Sequence, residues 1–170
     1  QFKVTPAELE MHITENTRAF ILNSPHNPTG QVYSERELKE LSEVFKKHPQ
    51  ILIISDDIYD SLNFSDFKKA PHILKVAPEL QPQCLVVNGL SKSYSMTGWR
   101  LGWSVGPHEL VKSMTALQSQ STTCAPTLSQ YVAILALKNA GEILKDLLLH
   151  LEPQRQYAIN ALSSISGLSF

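Results

Sequence analysis

The sequence predicts an α/β fold, a three-layer sandwich built on a mostly parallel sheet with one antiparallel strand. Short apolar runs recur along the chain, each run ends directly in a polar segment, and helical or connecting segments separate the runs. Continuous apolar strands of this kind are typical of parallel sheets buried on both faces. Ligands of such sheets bind outside the carboxyl ends of the strands, so the polar segments are candidate functional loops.

The first strand and its loop follow a short helix. Thr5 and Pro6 suit the N-cap and first position of that helix. Residues 19–22 form an apolar strand, and residues 23–30, NSPHNPTG, follow it. Their two prolines and one glycine are incompatible with a strand or a helix, so this segment is a loop at a strand end.

The next helix and strand repeat the arrangement. Ser34 and Glu37 form a capping-box pattern, and a helical apolar stripe reaches Pro49. Residues 51–54 are a second strand that ends in SDDIYD, residues 55–60. The sequence therefore predicts a second polar loop after a second buried strand.

A third strand, residues 84–87, precedes the segment NGLSKSYSMTGWRLGW at residues 88–103. Residues 101–105 form a fourth strand, which we expect to be antiparallel because the connection to it is short and loop-like.

Helices make up the rest of the chain. Pro107 can begin one helix, and Thr127 caps another that stops near Gly141. From Glu142 a helical pattern continues to residue 162 and contains Pro153, which we expect to kink or split the helix. A domain boundary is therefore predicted between residues 1–141 and residues 142–170.

Composition excludes several classes of protein. A formal charge of −1 and a pI near 6.6 give no broad basic surface, so neither nucleic acid nor a membrane is an expected partner. The two cysteines and six histidines show no metal-ligand spacing, so no metal site is expected. With no long apolar run and no signal-peptide pattern at the start, we expect a soluble cytoplasmic protein.

Lys92 is the residue most suggestive of chemistry. Between Asn88 and Arg100 it has neither a carboxylate nor another base as a neighbour. An isolated lysine at a strand end suits a low-dielectric site where the amine acts as a nucleophile or proton carrier, although an exposed loop lysine is the simpler interpretation. If the three strands are neighbours, Asn27, Asp56 and Tyr59 converge on the same edge.

These residue types together fit pyridoxal phosphate. A lysine forms a Schiff base with an aldehyde cofactor, and an arginine binds a phosphate through two hydrogen bonds. An aspartate keeps a pyridine nitrogen protonated, and tyrosine with asparagine can bond a phenolate oxygen. A lysine Schiff base with an acidic partner for the pyridinium is the recognised signature of this cofactor.

Three segments carry a family resemblance: NSPHNPTG, SDDIY and SKSYSMTGWRLGW. In this order and spacing they resemble the class I/II aminotransferases, which are fold type I pyridoxal-phosphate enzymes. The stretch LQSQSTTCAPTLSQYVAILAL looks most like the bacterial aspartate aminotransferase branch. The resemblance implies transfer of an amino group from an amino acid, aspartate, to a 2-oxo acid by a homodimer, with residues 119–123 reaching towards the partner's cofactor.

The resemblance also implies a role for each candidate residue. Lys92 would carry the Schiff base and move a proton between the substrate α-carbon and the C4′ carbon of the cofactor. Asp56 would pair with the pyridinium nitrogen, Asn27 and Tyr59 would hydrogen-bond the ring oxygen O3′, and Arg100 would bind the phosphate.

Two choices rest on details of the motifs. Asp56 is preferred to Asp57 because it has the D-x-x-Y spacing to Tyr59, and His26 is interpreted as a loop residue. Many relatives have a phosphate-binding serine three residues before the lysine, where this chain has Gly89. Ser91 or backbone amides are expected to replace that serine.

The length of the chain differs from that of the family. The resemblance covers essentially the whole chain, yet family members run to roughly 400 residues, two or more ordinary domain lengths. We therefore expect a fragment, with residues 1–141 as the second half of the large cofactor domain and residues 142–170 as the interdomain helix and start of the small domain. Such a fragment would bind cofactor weakly and would not transaminate.

Other functions share the same motifs. A carbon–sulfur lyase or a cyclopropane-forming synthase uses the same lysine, aspartate, tyrosine and arginine on this scaffold. The fold also serves as an effector-binding domain in transcription regulators, although the unbroken SMTGWRLGW favours an enzyme. A structural fragment without cofactor is the remaining alternative.

Overall fold

A computed structural model describes residues 2–64 and 69–168. Its helices and strands alternate along the chain and confirm the α/β class. In order they are α1 (Pro6–His12), β1 (Ala19–Asn23), α2 (Glu35–Lys47), β2 (Leu52–Asp56), α3 (Ile73–Val76), a 3₁₀ helix (Pro78–Gln83), β3 (Cys84–Gly89), a second 3₁₀ helix (Thr97–Trp99), β4 (Gly102–Val105), α4 (His108–Ser119), α5 (Thr127–Lys138) and α6 (Ala140–Ser163).

The four strands form one sheet in the order β1-β2-β3-β4. The first three are parallel and in register, so that Asn23 lies opposite Asp56, and Asp56 lies opposite Val87. β4 runs antiparallel to β3, as predicted. Because β1, β2 and β3 all end at the same edge, the three motif segments leave the sheet side by side.

The strands extend further than the apolar runs suggested. β1 ends at Asn23, β2 at Asp56 and β3 at Gly89, each beyond its last apolar residue. The backbone ladder between strands continues through these residues whatever their side chains. The first polar residue of each loop is therefore held by sheet hydrogen bonds.

Helix α2 forms the centre of the main core. The predicted capping box is confirmed: Ser34 Oγ accepts from the Glu37 N–H at 3.2 Å, and the Glu37 carboxylate accepts from the Ser34 N–H at 2.7 Å. The apolar face of α2 is buried with residues of α1, α3 and the sheet; the cluster includes Leu22, Leu38, Leu41, Val44, Phe45, Ile53, Ile73 and Cys84. This helix layer fixes the positions of β1 and β2.

The two faces of β1 differ in burial. Leu22 is 3% exposed, whereas its neighbour Ile21, which points to the opposite face, is 66% exposed. The helices α1, α2 and α3 therefore cover one face of β1, and the other face is open to solvent at Ile21.

The last helices differ from the sequence predictions in three respects. Thr127 does not cap α5, because the N-cap position is Pro126 and no side chain caps this helix. Helix α5 ends at Lys138, so Gly141 does not stop it but lies in the first turn of α6. Pro153 does not split the following helix, because α6 continues from Ala140 to Ser163. Proline removes one N–H from the helix, and the other hydrogen bonds of α6 continue on both sides of it.

Within residues 2–64 and 69–168, no helix is both long enough and apolar enough to cross a membrane.

We predict that Ser34→Ala destabilises the protein by ~0.5–2 kcal/mol, because the first turn of α2 loses its side-chain cap. Ser34→Thr keeps a hydroxyl and should stay close to the wild type. Urea unfolding followed by circular dichroism measures both variants. Equal stability of Ser34→Ala and wild type would show that the capping box contributes nothing measurable.

Candidate active site

Asn27 and Tyr59 meet at the carboxyl edge of the sheet. Asn27 lies in the loop after β1 and Tyr59 in the turn after β2, and the Asn27 Nδ2 atom donates a hydrogen bond to the Tyr59 hydroxyl at 3.0 Å. Since the tyrosine oxygen accepts this bond, its own proton is free to bond a further acceptor. The two side chains thus offer donors from neighbouring loops.

Lys92 joins this pair from the loop after β3. Its Nζ atom lies 5.8 Å from the centroid of the Tyr59 ring, within the range of a cation–π contact. The lysine is half-buried. Three of the five residues predicted for the site therefore form one cluster, which we call the Lys92 cluster: Asn27, Tyr59 and Lys92.

Asp56 and Asp57 are adjacent but have different surroundings. Asp56 is half-buried at the end of β2, where its Oδ1 atom accepts from the Ile58 N–H at 3.3 Å. Asp57 is buried, and its two carboxylate oxygens bond the Ser55 hydroxyl and His72 Nε2, both at 2.8 Å. Both oxygens of Asp57 are therefore committed to structural contacts.

Arg100 occupies an unusual backbone conformation. It follows the 3₁₀ helix Thr97–Trp99 with a φ of 51°, in the left-handed region. Its side chain is exposed, and Nη1 donates to the Thr97 carbonyl at 3.0 Å. The contact that the structure gives this guanidinium lies within its own loop rather than with the Lys92 cluster.

Helix α5 supports the loop that carries Lys92. Leu90 is fully buried against Ala133 and Ala136 of α5. The Ser129 hydroxyl, also on α5, donates to the Trp99 carbonyl at 2.8 Å. The loop is thus attached to α5 on both sides of Lys92. Sequence reasoning missed Ser129, whose contact partner is 30 residues away along the chain.

Gly89 lies against the backbone of the antiparallel neighbour. A Cβ atom at this position would be 3.0 Å from the Leu101 carbonyl oxygen and 3.1 Å from the Gly102 Cα atom. Both neighbours are backbone atoms and cannot move aside as a flexible side chain could. A serine at this position would therefore fit only if the backbone shifted.

His72 links Asp57 to helix α3. In the neutral imidazole, Nδ1 accepts from the Leu74 N–H at 3.0 Å, and Nε2 then carries the proton that points to Asp57. The hydrogen bond to Asp57 holds the pKa of His72 above its ordinary value of 6.5, although burial opposes this shift. His72 thus connects Asp57 to the first turn of α3.

Cys84 lies within the core near the same aspartate. Burial, with a smaller contribution from the charge of Asp57, raises the pKa of its thiol to about 12. It therefore remains a thiol at neutral pH and packs as a small apolar side chain. Within residues 2–64 and 69–168, no three His, Cys, Asp or Glu side chains are grouped so that they could hold a metal ion.

The fold and the cluster define a class of protein: an α/β protein in which a lysine, a tyrosine and an asparagine meet at the carboxyl edge of a mixed sheet. The model of the family described as aminotransferase class I and II matches residues 1–170, and the chain belongs to that family. The resemblance inferred from the three motifs is therefore confirmed.

Relatives in several bacteria are similar over nearly the whole chain. The chain is 42% identical over 168 residues to the aspartate/prephenate aminotransferase of Cereibacter sphaeroides, which covers 99% of this chain and 42% of that protein. It is 41% identical over 168 residues to the aspartate aminotransferase of Geobacillus stearothermophilus, with the same two coverages.

Solved structures agree with these relatives. The aspartate aminotransferase from Rhizobium meliloti matches with a TM-score of 0.93 and 38% identity, covering 98% of this chain and 41% of that one. The Thermus thermophilus aspartate aminotransferase with maleate matches with a TM-score of 0.87 and 32% identity, covering 95% and 41%. The chain thus spans about two fifths of the length of these relatives.

We predict that Gly89→Ser destabilises the protein by ~1–3 kcal/mol, because the new Cβ atom would press against backbone atoms of Leu101 and Gly102, which would have to shift by a few tenths of an ångström. Gly98→Ser is the matched control, since a Cβ atom at Gly98 meets nothing within 4 Å. Thermal unfolding of both variants measures the difference. A Gly89→Ser protein as stable as Gly98→Ser would mean that the strands separate at little cost.

A second prediction concerns pH. Because the folded-state pKa of His72 lies above 6.5, its protonation stabilises the folded state fully below the unfolded pKa, and this stabilisation is lost as pH rises through the folded pKa. His72→Asn removes the titration but keeps an acceptor for the Leu74 N–H. We expect wild-type stability relative to His72→Asn to fall by at most ~1 kcal/mol between pH 5.5 and pH 8.5.

Urea unfolding of both proteins at the two pH values measures this fall, and the other titrating groups largely cancel in the difference. A difference that is constant, or that grows with pH, would contradict the assigned direction.

Proposed function

We propose that this chain is the part of a pyridoxal-phosphate-dependent aminotransferase that holds the reactive lysine, Lys92. The complete enzyme would move an amino group from an amino acid to a 2-oxo acid. The observation that carries the proposal is the convergence of Asn27, Tyr59 and Lys92 at one sheet edge in a chain of the aminotransferase class I and II family. Residues 1–141 would form the second half of the large cofactor domain. Residues 142–170 would form the interdomain helix and the start of the small domain.

The donor set fits the cofactor chemically. Bound pyridoxal phosphate supplies an aldehyde that an amine can attack and a protonated pyridine ring that withdraws electrons. The Lys92 cluster offers one amine, one amide donor and one phenol hydroxyl. Asp56 adds a carboxylate at the end of the neighbouring strand. Each functional group of the cofactor thus has a candidate partner.

Lys92 would be the nucleophile and the proton carrier. An amine on a half-buried loop next to an aromatic ring is shielded on one side from water and stays mobile along its four-carbon stem. It can therefore bind the aldehyde and, once released, reach a neighbouring carbon to add or remove a proton. Helix α5, which supports the loop, limits how far the amine can move.

Asp56 would bond the pyridinium nitrogen. Asp57 is the alternative from the sequence, but its two oxygens are occupied by Ser55 and His72. One oxygen of Asp56 accepts from the backbone of its own turn. The other oxygen is therefore the better candidate to receive a proton donor from a ligand.

Asn27 and Tyr59 would hold the phenolate oxygen of the ring. The hydrogen bond between them orients the Tyr59 hydroxyl proton away from the asparagine. Arg100 would bind the phosphate, because a guanidinium has five donors and can keep its bond to Thr97 while presenting others. The exposed position of Arg100 leaves room for a phosphate group.

Aspartate is the proposed amino donor, because the relatives are named aspartate or aspartate/prephenate aminotransferases. We also propose that the complete enzyme is a homodimer. Helices α4 and α5 expose several large apolar side chains that a partner subunit or further domain would cover, including Leu117, Leu128, Tyr131 and Leu135.

We predict that borohydride reduction in the presence of pyridoxal phosphate attaches the cofactor to Lys92. Peptide mass spectrometry should find one dominant adduct, which is lost in Lys92→Ala. Lys112→Ala, which removes an exposed lysine of α4, is the matched control and should keep the adduct. The experiment is done on this chain and on the complete polypeptide in which it occurs.

Labelling that spreads over the surface lysines of the complete polypeptide, or that persists in Lys92→Ala, would overturn the assignment. An adduct in the complete polypeptide alone would show that residues outside this chain are required for cofactor binding.

A further inference from the structure

Asn23 lies between two loops of the site. It is the last residue of β1, is half-buried, and lies opposite Asp56 in the parallel register. Its Oδ1 atom accepts from the Asn27 N–H at 3.1 Å, and its Nδ2 atom donates to the Asp56 carbonyl at 3.2 Å. One side chain therefore bonds the backbone of the loop after β1 and of the last residue of β2.

The partners determine which way the Asn23 amide points. A backbone N–H can only donate and a backbone carbonyl can only accept, so the oxygen must face Asn27 and the nitrogen must face Asp56. An aspartate would keep the acceptor but lose the donor. A leucine of similar size would lose both. A short primary amide is the group that satisfies both bonds.

The chain of contacts continues to the residues proposed for the cofactor. Asn27 is held at its backbone by Asn23 and donates through its own side chain to the Tyr59 hydroxyl. Asp56 is held at its carbonyl, while its carboxylate remains at the end of β2. A change at Asn23 would therefore shift the spacing between Asn27 and Asp56.

We propose that Asn23 is a positioning residue that sets the distance between the Asn27 loop and the Asp56 carboxylate. This inference rests on the proposed function, in which those two residues bond opposite parts of one cofactor ring. Asn23 acts through Asn27 and Asp56 rather than by touching the cofactor. Its removal should change the electronic state of the bound ring as well as the strength of binding.

Other hydrogen bonds keep the loop folded without Asn23. The Ser24 hydroxyl accepts from the Tyr33 N–H at 3.1 Å. The backbone of His26 bonds twice within the loop, through its N–H to Gln31 at 2.9 Å and through its carbonyl to Gly30 at 2.7 Å. An Asn23→Ala protein is therefore expected to fold.

The first measurement needs no cofactor. Amide hydrogen exchange, followed by NMR, should be about five-fold faster at Asn27 in Asn23→Ala than in the wild type, because one hydrogen bond is lost. Asn23→Asp keeps the acceptor and should retain the wild-type rate at Asn27. Asn139→Ala is the matched control, since it also removes a side-chain bond to a backbone carbonyl but lies between α5 and α6.

The second measurement uses the complete polypeptide with pyridoxal phosphate bound. The pH midpoint of its visible absorbance should move by about one pH unit in Asn23→Ala and Asn23→Asp, because hydrogen bonds to the ring set this midpoint. Asn139→Ala should keep the wild-type midpoint. A residue that only stabilises the fold would lower the unfolding temperature without moving the midpoint.

The outcomes separate the two proposals. Faster exchange at Asn27 together with a shifted midpoint supports the positioning role. If the wild type binds the cofactor normally, unchanged exchange at Asn27 in Asn23→Ala, or an unchanged midpoint in that variant, overturns the positioning role. The proposed function then remains intact. A wild-type complete polypeptide that binds no cofactor overturns the proposed function and the positioning role together.

Discussion

The parallel register of β1, β2 and β3 is the constraint on which the rest of the site depends. It places Asn23, Asp56 and Val87 in one row, so three loops that are far apart in sequence begin side by side. Backbone ladder bonds set this row, and the buried face of α2 holds the sheet in place. The hydrogen bond and ring contact among Asn27, Tyr59 and Lys92 follow from that alignment.

The adjacent residues Asp56 and Asp57 have different hydrogen-bond partners. Asp57 bonds Ser55 and His72, which stabilises the turn after β2, and His72 caps α3. Asp56, one residue earlier, is the last residue of β2 and bonds the Ile58 N–H. One aspartate therefore supports the structure, and the other is the proposed partner of the cofactor ring.

The loop of Lys92 depends on helix packing as well as on the sheet. Its attachment to α5 through Leu90 and Ser129 couples Lys92 to a helix whose outer face carries exposed apolar residues. A partner or domain that covered this outer face would therefore also stabilise the position of Lys92. The proposed cofactor site and the proposed subunit contact are linked through one helix.

The sequence alone was enough to establish the α/β class, the mixed sheet, the capping box of Ser34 and the loops that bear Asn27, Asp56, Tyr59 and Lys92. These features depend on local patterns: apolar periodicity, cap residues, and polar segments at strand ends.

The tertiary structure decided the rest. It showed that a side chain at Gly89 would press against the backbone of Leu101 and Gly102, that Asn23 bonds both the loop after β1 and the end of β2, and that Ser129 bonds the carbonyl of Trp99. It also showed that α6 continues through Pro153. The first three features depend on which atoms lie within a few ångströms of each other, and the fourth on whether the other hydrogen bonds of α6 outweigh the one that Pro153 removes. Residue order does not specify such distances and balances until the chain has folded.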